Sequence, residues 1–244
     1  MTAVRVYVII ISTIDKEKKI MQYEIKNFES LEYLVRYPNG YEAEKKYPVI
    51  LHLHGAGGRY QGAGSNKTNP FFTITEQDEN FPFVCVSPSC NADTWFDLFE
   101  TLRRFVKFIS AEPYANAKKL YLLGPSMGGY TTWQLATSLP EYFAAIAPIC
   151  GGGMYWNAGR LVNVPVWAFH GELDGVVRLE ESEKMVNAVN ANGGNAKLTV
   201  YKDTYHDSWN QAYANPELFA WLLSHENENA NEIKDEYKGS DIYG

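Results

Sequence analysis

Residues 120–128 read LYLLGPSMG and join an apolar strand pattern to a helical pattern over residues 127–139. Their last five residues fit G-x-S-x-G, a pattern that is specific only when a strand precedes it and a helix follows it. In so sharp a turn, a side chain at Gly124 or Gly128 would strike the neighbouring strand or helix. We therefore expect Ser126 to stand exposed at the carboxyl edge of a sheet, above a helix N-terminus whose dipole favours negative charge.

Short apolar runs like the one before Gly124 recur along the chain. They predict strands at residues 47–55, 81–87, 119–123, 144–150, 164–169 and 198–201. Strands that are apolar throughout are typical of a parallel sheet covered by helices on both faces. Residues 31–37 alternate instead and end at the turn signal Pro38-Asn39-Gly40. This segment predicts an edge or near-edge strand that feeds a hairpin.

Helical spacing of apolar residues separates the predicted strands. Helices are predicted at residues 98–109, 127–139, 179–191 and 216–224. Strands that alternate with helices predict an α/β fold, here a mostly parallel, doubly wound sheet with helices on both faces. Residues 59–80 form the only connection long enough for a flap, so little or no cap domain is expected.

The length of 244 residues favours one domain, because it lies near the upper limit of a single hydrophobic core. We predict one domain over residues 1–225, in which residues 1–30 supply an N-terminal strand or extension. Residues 6–11 suit a first strand, and Met21 is an alternative start of the chain. Residues 226–244 hold six acidic and two basic side chains and predict an acidic, flexible tail.

The composition excludes several classes of protein. Hydrophobic residues make up 45% of the chain and charged residues 21%, which is ordinary globular usage. The net charge of −7 argues against a nucleic-acid surface, which needs clustered lysine and arginine. Residues 6–11 are too short to span a membrane. The chain has three cysteines, Cys85, Cys90 and Cys150, and because they lie in or beside apolar runs we expect them to be buried free thiols. Free thiols, together with the lack of a signal-peptide pattern, predict a cytoplasmic protein.

A serine at such a turn needs an acid and a histidine that follow it in the chain. The loop after the strand at 164–169 contains Asp174, which we predict as the acid, with Glu172 as its rival. His206 is the histidine that follows the last strand pattern, in a loop that can lean over Ser126 and reach Asp174. The other four histidines lie in strands, at strand ends or at the start of the acidic tail: His52, His54, His170 and His225.

Two backbone N–H groups are expected to hold negative charge that develops on a reacting oxygen. Met127, the residue after the serine, supplies the first. The second comes from Ala56, or alternatively Gly57, in a glycine-rich run at residues 54–58 whose backbone can approach a ligand closely. The sequence contains no set of residues with metal-ligand spacing and no P-loop lysine, so neither a metal nor a cofactor is predicted.

Five motifs resemble one protein family when they are taken in order. They are LHLHGAGG at 51–58, GPSMGGY at 124–130, PICGGG at 148–153, PVWAFHG at 165–171 and YHDSW at 205–209. They resemble the phospholipase/carboxylesterase-like "predicted peptidase" group of bacterial α/β-hydrolases, which is related to feruloyl and polyhydroxybutyrate-type esterases and to prolyl-oligopeptidase catalytic domains. The resemblance covers about residues 31–223 and implies a catalytic triad of Ser126, Asp174 and His206. Pro125 replaces the leucine that is more frequent in the family, and we expect it to change the pocket's shape rather than the mechanism.

Aromatic residues beside the motif loops are candidates for binding the substrate. They are Trp95, Tyr130, Tyr155, Trp156 and Trp209. Several could form a wall suited to an aryl acyl group or a sugar ring. The expected function is that of a serine hydrolase that cleaves small, aryl-linked or sugar-linked carboxylic esters through an acyl-enzyme. The alternatives are a serine peptidase of prolyl-oligopeptidase type and a non-catalytic binding protein with the hydrolase fold. A small-molecule ester is the expected partner, with neither nucleic acid nor membrane.

Overall fold

One eight-stranded sheet forms the centre of the structure, a computed structural model that describes residues 22–230. The strands are β1 (Tyr23–Phe28), β2 (Leu31–Arg36), β3 (Tyr47–His52), β4 (Val84–Pro88), β5 (Ala115–Pro125), β6 (Ala145–Ile149), β7 (Val166–Gly171) and β8 (Ala196–Tyr201). Across the sheet they lie in the order β1-β2-β4-β3-β5-β6-β7-β8. The pairs that involve β1 and β2 are antiparallel, and the other pairs are parallel.

Six α-helices in the described part of the chain cover the two faces of the sheet. They are α1 (Pro70–Thr75), α2 (Phe99–Ala111), α3 (Met127–Ser138), α4 (Leu179–Ala191), α5 (Trp209–Ala214) and α6 (Pro216–Leu223). Helices α2, α3 and α4 bury side chains such as Phe105 and Trp133 on one face. Helices α1, α5 and α6 bury side chains such as Phe71 and Tyr213 on the other. The predicted doubly wound sheet with helices on both faces is confirmed.

The position of β2 corrects one sequence prediction. β2 is a near-edge strand, as expected, but the hairpin lies before it: Phe28 of β1 pairs with Leu31 through a turn at Glu29, whose φ is 51°. The predicted hairpin after residue 37 is wrong, because β4 lies between β2 and β3. A turn signal reports only that the chain reverses, and the strand that it then meets is decided by packing elsewhere in the sheet.

The long connection at residues 59–80 carries structure of its own. It contains helix α1, whose N-cap Asn69 accepts a hydrogen bond from the Phe71 N–H at 3.0 Å and whose first residue is Pro70. An N-cap asparagine and a proline at the first helical position both favour the start of a helix. Helix α1 was not predicted, because the spacing of apolar residues did not indicate it. Phe71 and Phe72 are fully buried, so this part of the connection is anchored in the core.

The start of the predicted acidic tail lies against the folded body. Glu226 and Glu228 pair with Lys119 and Lys118 at 3.0 and 2.8 Å. The Asn227 N–H donates to the Lys118 carbonyl at 2.9 Å. Residues 231–244 of that tail, the predicted strand at residues 6–11 and the alternative start at Met21 lie outside the described residues. No helix within residues 22–230 has the length and apolar content needed to cross a membrane.

Six loops converge at one edge of the sheet. In the parallel part, β3, β4, β5, β6, β7 and β8 all end there, because parallel strands have their carboxyl ends at a common edge. The glycine-rich loop follows β3, Ser126 follows β5, Asp174 follows β7 and His206 follows β8. Residues far apart in sequence are therefore brought together at this edge.

Candidate active site

The turn after β5 holds Ser126 in a conformation that few non-glycine residues adopt. Its φ and ψ are 54° and −119°, and its N–H donates to the Ile149 carbonyl at 2.9 Å. A Cβ at Gly124 or Gly128 would lie 2.3 or 1.9 Å from the Leu53 carbonyl oxygen, far inside van der Waals contact. The two glycines are therefore required by close packing of backbone on backbone, and the strained serine is stabilised by its surroundings.

A continuous row of hydrogen bonds links the serine to a buried carboxylate. Ser126 Oγ lies 2.9 Å from His206 Nε2, and His206 Nδ1 lies 2.7 Å from Asp174 Oδ2. The other carboxylate oxygen, Oδ1, accepts from the N–H groups of Val176 and Val177, each at 2.9 Å. The carboxylate of Asp174 is fully buried, whereas the His206 side chain is 21% exposed.

The partners of His206 indicate which ring nitrogen carries its proton. A carboxylate only accepts, so Nδ1 donates to Asp174 and the neutral ring keeps Nε2 free to accept from the Ser126 hydroxyl. This arrangement can withdraw the serine proton as Oγ attacks an electrophilic carbon. The carboxylate then stabilises the imidazolium that results.

The structure separates the two acids that the sequence left as rivals. Asp174 contacts His206, whereas Glu172 is exposed and its Oε2 accepts from the Asp203 N–H at 3.4 Å. The carboxylate of Glu172 belongs to a surface turn between the loops after β7 and β8. Two residues of spacing in one loop are enough to place one acid under the histidine and the other in solvent.

The remaining histidines make other contacts. His52 lies 3.2 Å from Ser87 Oγ and 3.1 Å from Tyr213 Oη, and burial lowers its pKa well below the usual value. His225 is half-buried and lies two residues beyond the end of α6, and its Nδ1 lies 2.7 Å from the Trp221 carbonyl. His170 Nε2 lies 3.4 Å from Asp174 Oδ2, the oxygen that His206 also contacts, and the sequence did not predict this contact.

The glycine-rich loop lies directly beside the serine turn. A Cβ at Gly55 would lie 3.6 Å from Ser126 Cβ, and residues 56–58 form one 3₁₀ turn. Ala56 and Gly57, the two candidates for the second N–H donor, are both exposed on this loop and line the cavity above Ser126. Met127, the other predicted donor, is the first residue of α3, where helical N–H groups have no partner inside the helix.

A buried histidine fixes the shape of this loop. His54 Nδ1 lies 2.7 Å from the Gly55 carbonyl, and its Nε2 accepts from the Cys90 N–H at 3.0 Å. Burial lowers the pKa of His54, which favours the neutral ring that these two bonds require. A Cβ at Gly58 would lie 2.5 Å from His54 Nδ1. In the sequence, His54 is only a residue before a glycine. Its role in holding the loop depends on its contact with Cys90, in the connection between β4 and α2, which the sequence did not predict.

A cavity of about 440 Å³ opens above Ser126. Its lining consists of Gly55, Ala56, Gly57, Gly58, Asn69, Pro70, Pro125, Ser126, Val176, His206 and Trp209. Apart from the glycine-rich loop and the serine–histidine pair, the walls are mainly apolar, with Pro70 and Pro125 among them. Its volume lies within the usual range for small-molecule sites. Asn69, Pro70 and Val176 were not among the predicted site residues, because no local motif connects them with Ser126.

One of the five predicted aromatic residues lines this cavity. Trp209 does so, and its ring lies edge-on to His206 with centroids 5.4 Å apart. Trp95 is fully buried, and its indole N–H donates to the His54 carbonyl at 3.0 Å, so it supports the glycine-rich loop from below. Tyr130 is half-buried, and Tyr155 and Trp156 are exposed; none of these three lines the cavity.

Cys150 is a potential metal ligand close to this row of hydrogen bonds. Its sulfur and ligand atoms of Asp174 and His206 lie within 4.8 Å of one another. Burial raises the pKa of Cys150 to about 12, so in the absence of a metal ion its thiol is protonated. The carboxylate and imidazole are also bonded to each other. The chemistry of this donor set fits a hydrogen-bonded site better than a metal centre.

Comparison with known sequences finds one matching family and relatives named as esterases. The sequence pattern of the dienelactone hydrolase family matches residues 90–235, more than half of the chain. The protein named probable feruloyl esterase C of Aspergillus terreus is 22% identical over 174 residues, which are 70% of this chain and 64% of that protein. A bifunctional acetylxylan esterase/xylanase of Neocallimastix patriciarum is 26% identical over 164 residues, 65% of this chain and 22% of that protein. The chain therefore spans less than two thirds of the length of these curated relatives.

Solved structures with the same fold include esterases. A thermostable esterase superposes with a TM-score of 0.71 at 28% identity, over 84% of this chain and 63% of that chain. The feruloyl esterase module from Clostridium thermocellum, complexed with sinapinate, superposes with a TM-score of 0.65 at 17% identity, over 85% of this chain and 89% of that one. The second likeness is evidence for the fold alone. The expected α/β-hydrolase fold and the resemblance to feruloyl esterases are confirmed.

Proposed function

The chain belongs to the dienelactone hydrolase family, and we propose that it hydrolyses carboxylic esters with Ser126 as nucleophile, His206 as general base and Asp174 as orienting acid. The observation that carries this proposal is the unbroken row of hydrogen bonds from Ser126 Oγ through both nitrogens of His206 to the buried Asp174 carboxylate. Relatives named as feruloyl and acetylxylan esterases support the same class of reaction.

The proposed reaction proceeds in two steps. Ser126 Oγ attacks the acyl carbon while His206 Nε2 takes the hydroxyl proton; His206 then gives that proton to the departing alkoxide, which leaves as an alcohol. A water molecule next attacks the acyl-enzyme, its proton passes to His206, and return of that proton to Ser126 Oγ releases the carboxylic acid. In both steps, the backbone N–H groups of Met127 and of Ala56 or Gly57 stabilise the oxyanion.

The cavity favours esters with a compact or flat apolar acyl group. Pro70, Pro125, Val176 and Trp209 supply apolar walls, and Trp209 offers a planar surface beside His206. We propose a small ester or one that joins an aryl acid to an alcohol or sugar. These walls are suited to stacking and desolvation of an aryl ring.

Two measurements test the proposed function. We expect faster turnover of p-nitrophenyl acetate and butyrate than of aminoacyl p-nitroanilides; faster cleavage of the anilides would replace the esterase by a peptidase. A fluorophosphonate probe should label the wild-type chain and leave the folded Ser126→Ala variant unlabelled. A folded wild-type chain that resists the probe, beside a control hydrolase that reacts, would instead indicate a binding protein.

We also propose a cytoplasmic location, supported by the three cysteines. Cys85, Cys90 and Cys150 are buried and unpaired, as expected in a reducing compartment. Cell fractionation tests this proposal, and recovery of the intact protein outside the cell would overturn it.

A further inference from the structure

A second histidine, in addition to His206, contacts the carboxylate of Asp174. His170, near the end of β7, is fully buried, and its Nε2 lies 3.4 Å from Asp174 Oδ2. The same nitrogen lies 2.9 Å from the Val177 carbonyl oxygen. The other ring nitrogen, Nδ1, lies 2.7 Å from Ser182 Oγ on α4. His170 thus connects β7, the loop that carries Asp174 and helix α4.

The protons of this network can be counted. Ser182 Oγ also lies 2.9 Å from the Gly151 carbonyl oxygen, and a hydroxyl has one proton to donate. Both carbonyls only accept, so Nε2–H donates to Val177 and the Ser182 hydroxyl donates to Gly151. Ser182 Oγ must then accept from Nδ1–H. Every contact is satisfied only when both ring nitrogens of His170 carry protons; a neutral ring would leave one short contact in the buried network without a hydrogen.

The buried charge of Asp174 also favours a His170 ring with both nitrogens protonated. Two histidine side chains lie close to the fully buried Asp174 carboxylate, His206 at 2.7 Å and His170 at 3.4 Å, and no other side chain within residues 22–230 is positioned to form an ion pair with it. The proposed mechanism requires His206 to be neutral before attack, so His170 is the group that can compensate the buried charge. An uncompensated buried carboxylate would cost several kcal/mol.

The other titratable groups near this pair carry no positive charge. Burial, with the charge of Asp174 as a further cause, raises the pKa of Cys150 to about 12 and raises that of Tyr130, so both are neutral. On α4, Glu181 adjoins Ser182 and pairs with Lys184 at the surface, at 3.3 Å. The N–H groups of Val176 and Val177 also stabilise the Asp174 carboxylate, but they carry no net positive charge.

We infer that His170 is an imidazolium that pairs with Asp174 and acts as a positioning residue for it. This inference rests on the proposed function for its kinetic consequence, but the charge state of His170 can be measured without any substrate. The pair holds the Asp174 loop through Val177 and reduces the negative field that the carboxylate exerts on His206. Loss of the cation should therefore make His206 retain its proton to higher pH.

His52 provides a matched control on a nearby strand. It is fully buried and also contacts a serine hydroxyl through Nδ1, but its Nε2 faces the Tyr213 hydroxyl. A hydroxyl can donate or accept, so a neutral ring satisfies both contacts. Burial lowers the pKa of His52 well below its usual value, in keeping with a neutral ring.

Nitrogen-15 NMR of the imidazole rings in the full wild-type chain at neutral pH tests the charge state. His170→Gln and His52→Gln variants assign the signals. We expect two protonated nitrogens on His170 and one on His52. A bare nitrogen on His170 would overturn the inference, whether or not the chain proves to be an esterase.

The pH profile of kcat/KM on p-nitrophenyl butyrate tests the positioning role. His170→Gln, which keeps a donor for Val177 but carries no charge, should raise the midpoint of the acidic limb by at least about 0.5 unit, or threefold in proton affinity. Ser182→Ala should shift it in the same direction, and the control Ser87→Ala beside His52 should not. If the folded variants have a lower kcat but the midpoint of the acidic limb does not change, then His170 has only a structural role and the positioning role is refuted. Failure of fluorophosphonate labelling in the wild type would refute the proposed function and leave the NMR result unaffected.

Discussion

Two glycine-rich segments face the cavity, and the glycines in them have different neighbours. At the serine turn, a Cβ on Gly128 would lie 1.9 Å from the Leu53 carbonyl oxygen. In the loop after β3, a Cβ on Gly57 would meet no atom within 4 Å. The serine turn is packed backbone against backbone, whereas the loop after β3 packs on the His54 ring at Gly58 and faces open space at Gly57.

This difference assigns the two segments different tasks. The serine turn must hold a strained nucleophile, so its glycines are dictated by the strand and helix beside them. The loop must admit a substrate oxygen close to its backbone, and the space where a Cβ of Gly57 would point is open. The chemistry should accordingly be concentrated at the turn, with a smaller contribution from the loop, and the following variants test this order.

The largest loss is expected at the serine turn itself. Ser126→Ala and His206→Ala should each lower kcat by roughly a millionfold, because neither group acts without the other. The double variant should be little worse than either single one. Hydrolysis of p-nitrophenyl butyrate by purified, folded variants measures this, and additive losses would show that the two side chains do not work as a unit.

A smaller loss is expected when the acid is neutralised. Asp174→Asn should lower kcat about ten-thousand-fold, because the imidazole loses its orientation and its compensating charge. Glu172→Gln, in the same loop but exposed, is the matched control and should stay within about threefold of wild type, as for other exposed sites. The reverse result in the same assay would move the acid to Glu172.

The glycine-rich loop should matter less than the turn. If Ala56 donates its N–H to the oxyanion, Ala56→Pro should lower kcat about 100- to 1,000-fold, the scale for loss of one such donor. Circular dichroism and thermal melting must first show that the variant is folded. Near-normal kcat in a folded Ala56→Pro chain would transfer the role to Gly57.

The smallest effects concern stability and compare the two segments directly. Gly128→Ala should lower the free energy of unfolding by at least about 1–3 kcal/mol, because its methyl group would overlap the Leu53 carbonyl. Gly57→Ala should change it by no more than about 0.5 kcal/mol, since nothing lies near its Cβ. Urea unfolding of both variants measures this difference. Equal losses of unfolding free energy would contradict the view that the serine turn is closely packed and that Gly57 faces open space.

Local patterns in the sequence determined much of the fold. Helix α4 begins and ends at the predicted residues, because apolar spacing, early acidic residues and a following glycine pair agree there. The position of strand β1 within residues 1–30 was missed, because its six residues are all exposed or half-buried and make no apolar run. Helix α5 was also missed, because it is a six-residue segment within the loop that carries His206.

The sequence by itself determined the alternation of strands and helices, the serine turn and the order of serine, acid and histidine, because each depends on residues close together in the chain. Only the tertiary structure placed Asp174 rather than Glu172 against His206, placed Trp95 beneath the loop and brought His170 against Asp174. These outcomes depend on which loops meet at the sheet edge, and Ser126 and His206 are 80 positions apart. Side-chain partners at that separation are set by the packing of the sheet, which a local pattern does not encode.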